Sequence, residues 1–171
     1  MEYTHYFTFK KPAKGQARKA EAKYQRAVLD CARIIKTYYA ANGGISGYTA
    51  HTKLGEYGGI CVNGAREQAC EPFELQEYFR ENVGFDFVKT AQLPYDVVVV
   101  ACLIVLKHHL GDLIEVSSDG QKSDWQAGLD LAKRILKKKS LEIPQSIAGD
   151  LVQTKSKKIS SSSNNYTVSL G

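Results

Sequence analysis

Two short stretches of this 171-residue chain carry the side chains best suited to chemistry. The first is Lys89-Thr90, followed by Tyr95-Asp96. The second is Ser117-Ser118-Asp119, followed by Gly120. A lysine and a threonine just ahead of a helix start can hold an anion, because free backbone N–H groups and the helix dipole favour negative charge there. Serine hydroxyls donate hydrogen bonds to phosphate or carboxylate, and Asp119 would orient the lysine or a ligand hydroxyl. Lys89, Thr90, Tyr95, Asp96, Ser117, Ser118 and Asp119 therefore form the candidate ligand-binding set. The competing use of the same residues is a polar brace pinning a helix to the strand that follows it. No Walker-type glycine pattern accompanies the Lys-Thr pair, and no catalytic role is assigned to the set.

A second cluster is His108, His109, Asp112, Glu115 and Asp119. Histidines with carboxylates can do acid–base work or bind a metal. Adjacent histidines on a helix point about 100° apart, so both cannot easily serve one ion. The four cysteines form no C-x-x-C pair, so a zinc site has no support in the sequence, and neither metal nor cofactor is expected. Tyr48, Tyr57 and Tyr95 could stack a base. A single aromatic on the expected open sheet face, Tyr6, falls short of the platform that RNA-binding sheets present. Nucleic acid is then expected to meet only the lysines near the start and those at 155, 157 and 158, in a salt-sensitive contact.

The elements that must position these groups follow from periodicity. "EYTHYFTFK" alternates and reads as a strand, with Tyr3, His5, Phe7 and Phe9 facing the core and Thr4, Tyr6 and Thr8 facing away. His5 is expected to be a satisfied core or edge histidine rather than a ligand. Tyr24, Ala27, Val28, Cys31, Ile34, Ile35 and Tyr38 recur at steps of three and four, predicting a helix over 17–41 that ends at Asn42-Gly43-Gly44. Glycine-rich 43–59 reads as a loop with a short strand near Ile45–Ala50. "GICVNG" and "EPFELQEYF" read as paired strands. Val97–Leu106 is apolar throughout and too short to span a bilayer, which takes about 20 residues. Pro94 and Asp96 before it and Lys107, His108, His109 and Gly111 after it predict a buried helix over 94–110. "DLIEVSSDG" is a strand with a turn, and Ser123 with Gln126 caps a last helix over 123–139.

This order predicts an α+β domain over 1–143. It would be a ferredoxin-like split βαβ antiparallel sheet, helices on one face, with an extra C-terminal helix. Residues 144–171, rich in serine and lysine, would form a flexible tail. Ile60, Val62, Ile114 and Val116 would point at the helices. Thr4, Tyr6, Cys61, Asn63, Glu115 and Ser117 would line the open face. Net charge is +5, which favours anionic partners weakly. "MEYTHYFTFKK" lacks the apolar core of a secretory signal, so a reducing, cytoplasmic setting without membrane insertion is expected.

"THYF", "VNG" followed by "EPF", "FDFVKTAQLPYD" and "KHHLGDLIEVSSDG" together resemble a family of small phage-encoded proteins, over about residues 3–130. The Pro-Tyr-Asp and Ser-Ser-Asp-Gly segments are the most specific parts. The chain departs from that pattern in its short glycine-rich loop and in Ala69-Cys70, where a histidine often stands. The resemblance implies a phage or prophage origin, in a host cell's cytoplasm, and little chemistry. The leading expectation is a non-enzymatic phage accessory protein that binds an anionic small molecule, a nucleic acid or a host protein, as when blunting a host defence. One alternative is a small hydrolase or nuclease built on His108, His109, Asp112 and Asp119. Another is a structural or assembly protein.

Overall fold

The computed structural model describes residues 2–47 and 59–150. The elements are β1 (Thr4–Phe9), α1 (Ala17–Asn42), β2 (Ile45–Gly47), β3 (Ile60–Gly64), β4 (Phe73–Leu75), α2 (Phe79–Asn82), β5 (Gly84–Lys89), α3 (Asp96–Leu110), β6 (Ile114–Ser118) and α4 (Lys122–Leu136). The fold is α+β, as the sequence predicts. The expected single sheet is instead two antiparallel three-stranded sheets, with orders β5-β1-β6 and β2-β3-β4. "GICVNG" forms β3 of the second sheet. "EPFELQEYF" supplies only the short β4, and its last residue, Phe79, begins α2. β5 fills the place beside β1 and was not anticipated as a strand.

The core lies between the first sheet and the helices. Tyr3, His5, Phe7 and Phe9 of the first strand segment are all buried, with Val88, Ile114 and Val116 beside them. α3 is buried on every side from Val98 to Leu106, because α1 flanks it, α4 flanks it and β6 lies beneath. That explains a helix with almost no polar face. Its ends are where charge gathers: Asp96 in the first turn, and Lys107, His108 and His109 in the last. Gly128 on α4 lets the two helices approach, since a Cβ there would lie 2.4 Å from Val100 Cγ1. No helix among the described residues is long and apolar enough to cross a membrane.

Residues 144–150, read from the sequence as the start of a tail, pack against the domain. Ile147 is buried, Ser146 Oγ donates to Val116 O at 2.5 Å, and Ala148 O accepts from Lys122 N at 2.9 Å. The expected cap at Ser123 differs too. Asp124 accepts from Gln121 N (2.7 Å), and Ser123 N donates to Asp150 (3.0 Å). Tyr48 and Tyr57, named as stacking candidates, and the lysines at 155, 157 and 158 lie outside the described residues.

Candidate functional site

The fold divides six of the seven predicted site residues between the two sides of the first sheet. Thr90, Asp96 and Ser118 come together on the core side. Lys89, Ser117 and Asp119 lie on the open side. Tyr95 belongs to neither group: it is fully buried, and its hydroxyl donates to Glu71 O at 2.6 Å, with Lys89 O at 3.3 Å. Burial raises its pKa.

On the core side, β1 pairs with β6 so that His5 stands opposite Ser118. His5 Nδ1 lies 2.8 Å from Ser118 Oγ, and His5 Nε2 lies 2.7 Å from Asp96 Oδ1. Thr90 Oγ1 donates to the same carboxylate oxygen at 2.5 Å. Gly120 N donates to Ser118 Oγ at 2.9 Å. An ionised carboxylate can only accept, so Nε2 carries a proton. With the imidazole neutral, Nδ1 accepts, and the Ser118 hydroxyl donates to it. His5 is a satisfied core histidine, as expected, and it is the residue through which the two predicted segments meet. Tyr3 and Trp125 pack edge-to-face on the ring at centroid distances of 5.2 and 5.3 Å.

Two buried polar atoms beside this chain, Tyr3 Oη and Trp125 Nε1, have no hydrogen-bond partner among the described residues. Burial pushes the Tyr3 phenol up to about 12, with the negative charges of Asp96 and Asp124 adding to it. The Ser118 and Gln92 side chains lie near enough to favour its ionised form slightly, without reaching hydrogen-bond geometry. The loop over this corner is strained. Ala91 and Gln92 both have left-handed backbones, at φ 52° and 53°, within a turn closed by Leu93 N donating to Thr90 O at 3.0 Å. Asparagine and glycine are the usual residues for such a turn.

On the open side, the register sets Tyr6 between Phe87 and Ser117, Thr8 between Phe85 and Glu115, and Thr4 beside Lys89. Three aromatic rings therefore share the face. Tyr6 and Phe85 lie near-parallel (17°) with centroids 6.3 Å apart, and Phe85 and Phe87 are also 6.3 Å apart. Phe85 is 65% and Phe87 50% exposed. This corrects the expectation of a lone Tyr6. "FDF" in "GFDFVK" alternates like a strand after a glycine, and that was the available signal. Lys89 continues the same row, its ammonium 3.5 Å from Glu2. Lys10, at the far end, pairs with Glu115 at 2.5 Å and holds that carboxyl below its ordinary pKa. Asp119 is engaged by Thr4 N (3.0 Å) and the Tyr6 hydroxyl (3.2 Å), and it orients no lysine. Cys61 and Asn63, expected on this face, belong to the second sheet.

A groove of about 700 Å³ continues from Tyr6 and Phe85 along β6, walled by Lys107, His108, Asp112, Ser140, Glu142 and residues 144–146. The histidine pair diverges at this point. His108 borders the groove, while His109 Nε2 turns to Asp30 at 2.7 Å. The described residues hold no group of three or more histidine, cysteine or acidic side chains placed to bind a metal ion. No protein-family model, curated protein or solved structure matches the chain.

Proposed function

We propose that the open sheet face binds a nucleotide, free or within a single strand, by stacking bases on Phe87, Phe85 and Tyr6. The observation that carries this is the exposure of two neighbouring phenylalanines on a sheet face that also holds a tyrosine. Large apolar side chains elsewhere in the described residues are mostly buried, and exposed aromatic rows on sheets serve as stacking platforms for bases. Lys89 at one end and Lys10 at the other supply positive charge for phosphate. Glu115 and Asp119 sit between them, so stacking rather than net charge would dominate the affinity. A ferredoxin-like ancestry would fit: helices cover one side of β5-β1-β6 and the other is left open. The resemblance to small phage proteins supports a phage accessory role in which such binding needs no catalysis.

Fluorescence anisotropy with a labelled short single-stranded oligonucleotide, and competition by mononucleotides, tests the proposal and separates the two sources. Base–aromatic stacking contributes about 1–3 kcal/mol per base. Phe85→Ala and Phe87→Ala should therefore each weaken binding by roughly 5- to 150-fold, with melting temperature little changed, since both rings are exposed. Lys89→Ala should lower the salt slope by about one. Folded protein that binds neither oligonucleotide nor nucleotide would sink the proposal and favour a host protein as the partner of this face.

A further inference from the structure

We infer that Ser118 is an activated nucleophile, driven by the Thr90–Asp96–His5–Ser118 chain, and that its site accepts small carboxylic esters. This site lies on the opposite side of the sheet from the stacking face and does not depend on it. Nucleophile, base and orienting carboxylate stand in the hydrogen-bonded order that serine hydrolases use. The distances are 2.8 Å from Ser118 to His5 and 2.7 Å from His5 to Asp96. The two imidazole nitrogens exchange their usual roles: Nδ1 meets the serine and Nε2 the carboxylate. The chemistry needs only that the nitrogen facing the hydroxyl be unprotonated, and Asp96 enforces that by holding the proton on Nε2.

Two further observations point to a substrate. Among the described residues, Tyr3 Oη and Trp125 Nε1 are buried donors without acceptors, and their rings flank His5. A buried donor left unpaired is costly. A developing oxyanion is an acceptor that such donors would pair with. The backbone amides that could have served are engaged: Asp119 N donates to Thr4 O, and Gly120 N to Ser118 Oγ. The left-handed Ala91–Gln92 turn beside Tyr3 is the second observation, because strain of this kind gathers at working sites. Ser118 is half-buried at the end of β6, where three residues lead to α4, so its hydroxyl sits at a strand–turn–helix junction.

In the reaction, Ser118 Oγ attacks the ester carbonyl carbon while its proton passes to His5 Nδ1. The tetrahedral intermediate collapses, the C–O bond to the alcohol breaks, and His5 returns the proton to the departing alcohol. The acyl group remains on Ser118. A water then gives a proton to His5 Nδ1 and attacks the acyl carbon. Carboxylic acid leaves, and the proton returns to Ser118.

The test uses the full chain and p-nitrophenyl acetate. The wild type should release one burst equivalent of nitrophenolate, and peptide mapping should place the acetyl group on Ser118. Acylation there should outpace that of Ser123, an exposed serine of the same chain, by at least ~100-fold, the lower end of what a positioned base contributes. Ser118→Ala should abolish the burst while keeping a cooperative melt. Asp96→Asn should reduce the acylation rate and change its pH profile, which a purely structural Asp96 would not do. Wild-type protein with no burst, or with acetyl groups only on lysines and other serines, overturns the proposal and leaves the chain as a brace between β1, β6 and α3. That arm needs no variant to fold.

Discussion

At the residue scale, the ion-pair cluster on Asp30 shows how tertiary contacts reset a side chain that the sequence leaves ordinary. Partial burial would raise its pKa. Hydrogen bonds from His109 (2.7 Å) and Lys138 (3.0 Å), together with their charges, outweigh burial and hold it below the usual carboxylate value. A carboxyl with a depressed folded pKa contributes stability that is present above its unfolded pKa, near 3.8, and is lost as pH falls through the folded value. Asp30→Asn should therefore lower stability at neutral pH, by an amount on the order of 1 kcal/mol for this partly exposed pair. The gap between variant and wild type should close below about pH 4. A gap that persists unchanged into acid would mean that the asparagine disturbs packing instead. His5 is the contrasting case. Alternation in the first strand assigned it to the core correctly, yet nothing local revealed that Asp96 and Ser118 would take both its nitrogens. Those partners lie 91 and 113 positions away.

Elements sit where periodicity put them when they are long. α1 and α3 match the predicted helices to within two residues at each end, because a stripe repeated over several turns leaves few alternatives. β5 was missed because Pro94 and the apolar run drew "FVK" into a loop before a helix, and its outer amides were unreadable. Lys89 N is satisfied by the Glu71 side chain (2.8 Å) and Phe87 N by Asp86 (2.7 Å), so this part of the edge needs no partner strand. The α3–α4 contact is equally silent in sequence. Gly128 looks like a weak point in a helix, but a Cβ would meet Val100 and lie 3.1 Å from Ala101 N. Gly128→Ala gains up to about 1 kcal/mol of helix propensity, and overpacking should cost about 1–3 kcal/mol. A net loss of stability, read by denaturant midpoint, is expected. A gain would show that α4 can withdraw freely from α3.

Across the whole molecule, the segment after α4 ties the C-terminal helix to the first sheet. Ile147 is buried, and residues 148 and 150 satisfy two amides of α4's first turn. Ending the chain after residue 143 should cost about 2–4 kcal/mol relative to ending it after 150, from one lost aliphatic burial and one lost cap. Equal melting temperatures for the two truncations would refute this. The separation of the stacking face from the serine chain is also a property of the whole molecule. One sheet carries both, and side chains alternate between them, so Ser117 and Ser118 serve opposite sides. A variant of Phe85 should leave acylation unchanged, and Ser118→Ala should leave oligonucleotide binding unchanged.

By itself the sequence determined the α+β class, the long helices and the inward face of the first strand. These follow from the spacing of apolar residues along the chain, which each element reports locally. It also marked Lys-Thr and Ser-Ser-Asp as the segments to watch. The tertiary structure alone decided which of their residues meet. Strand register assigns side chains to opposite faces, and a shift of one residue reverses every assignment. The placement of β5 beside β1 turned Phe85 and Phe87 from loop residues into a platform with Tyr6. Opposite it, the pairing of β1 with β6 over the start of α3 closed His5 onto Ser118 and Asp96. Both are long-range pairings set by the packing of the whole core, and no local window of sequence contains them.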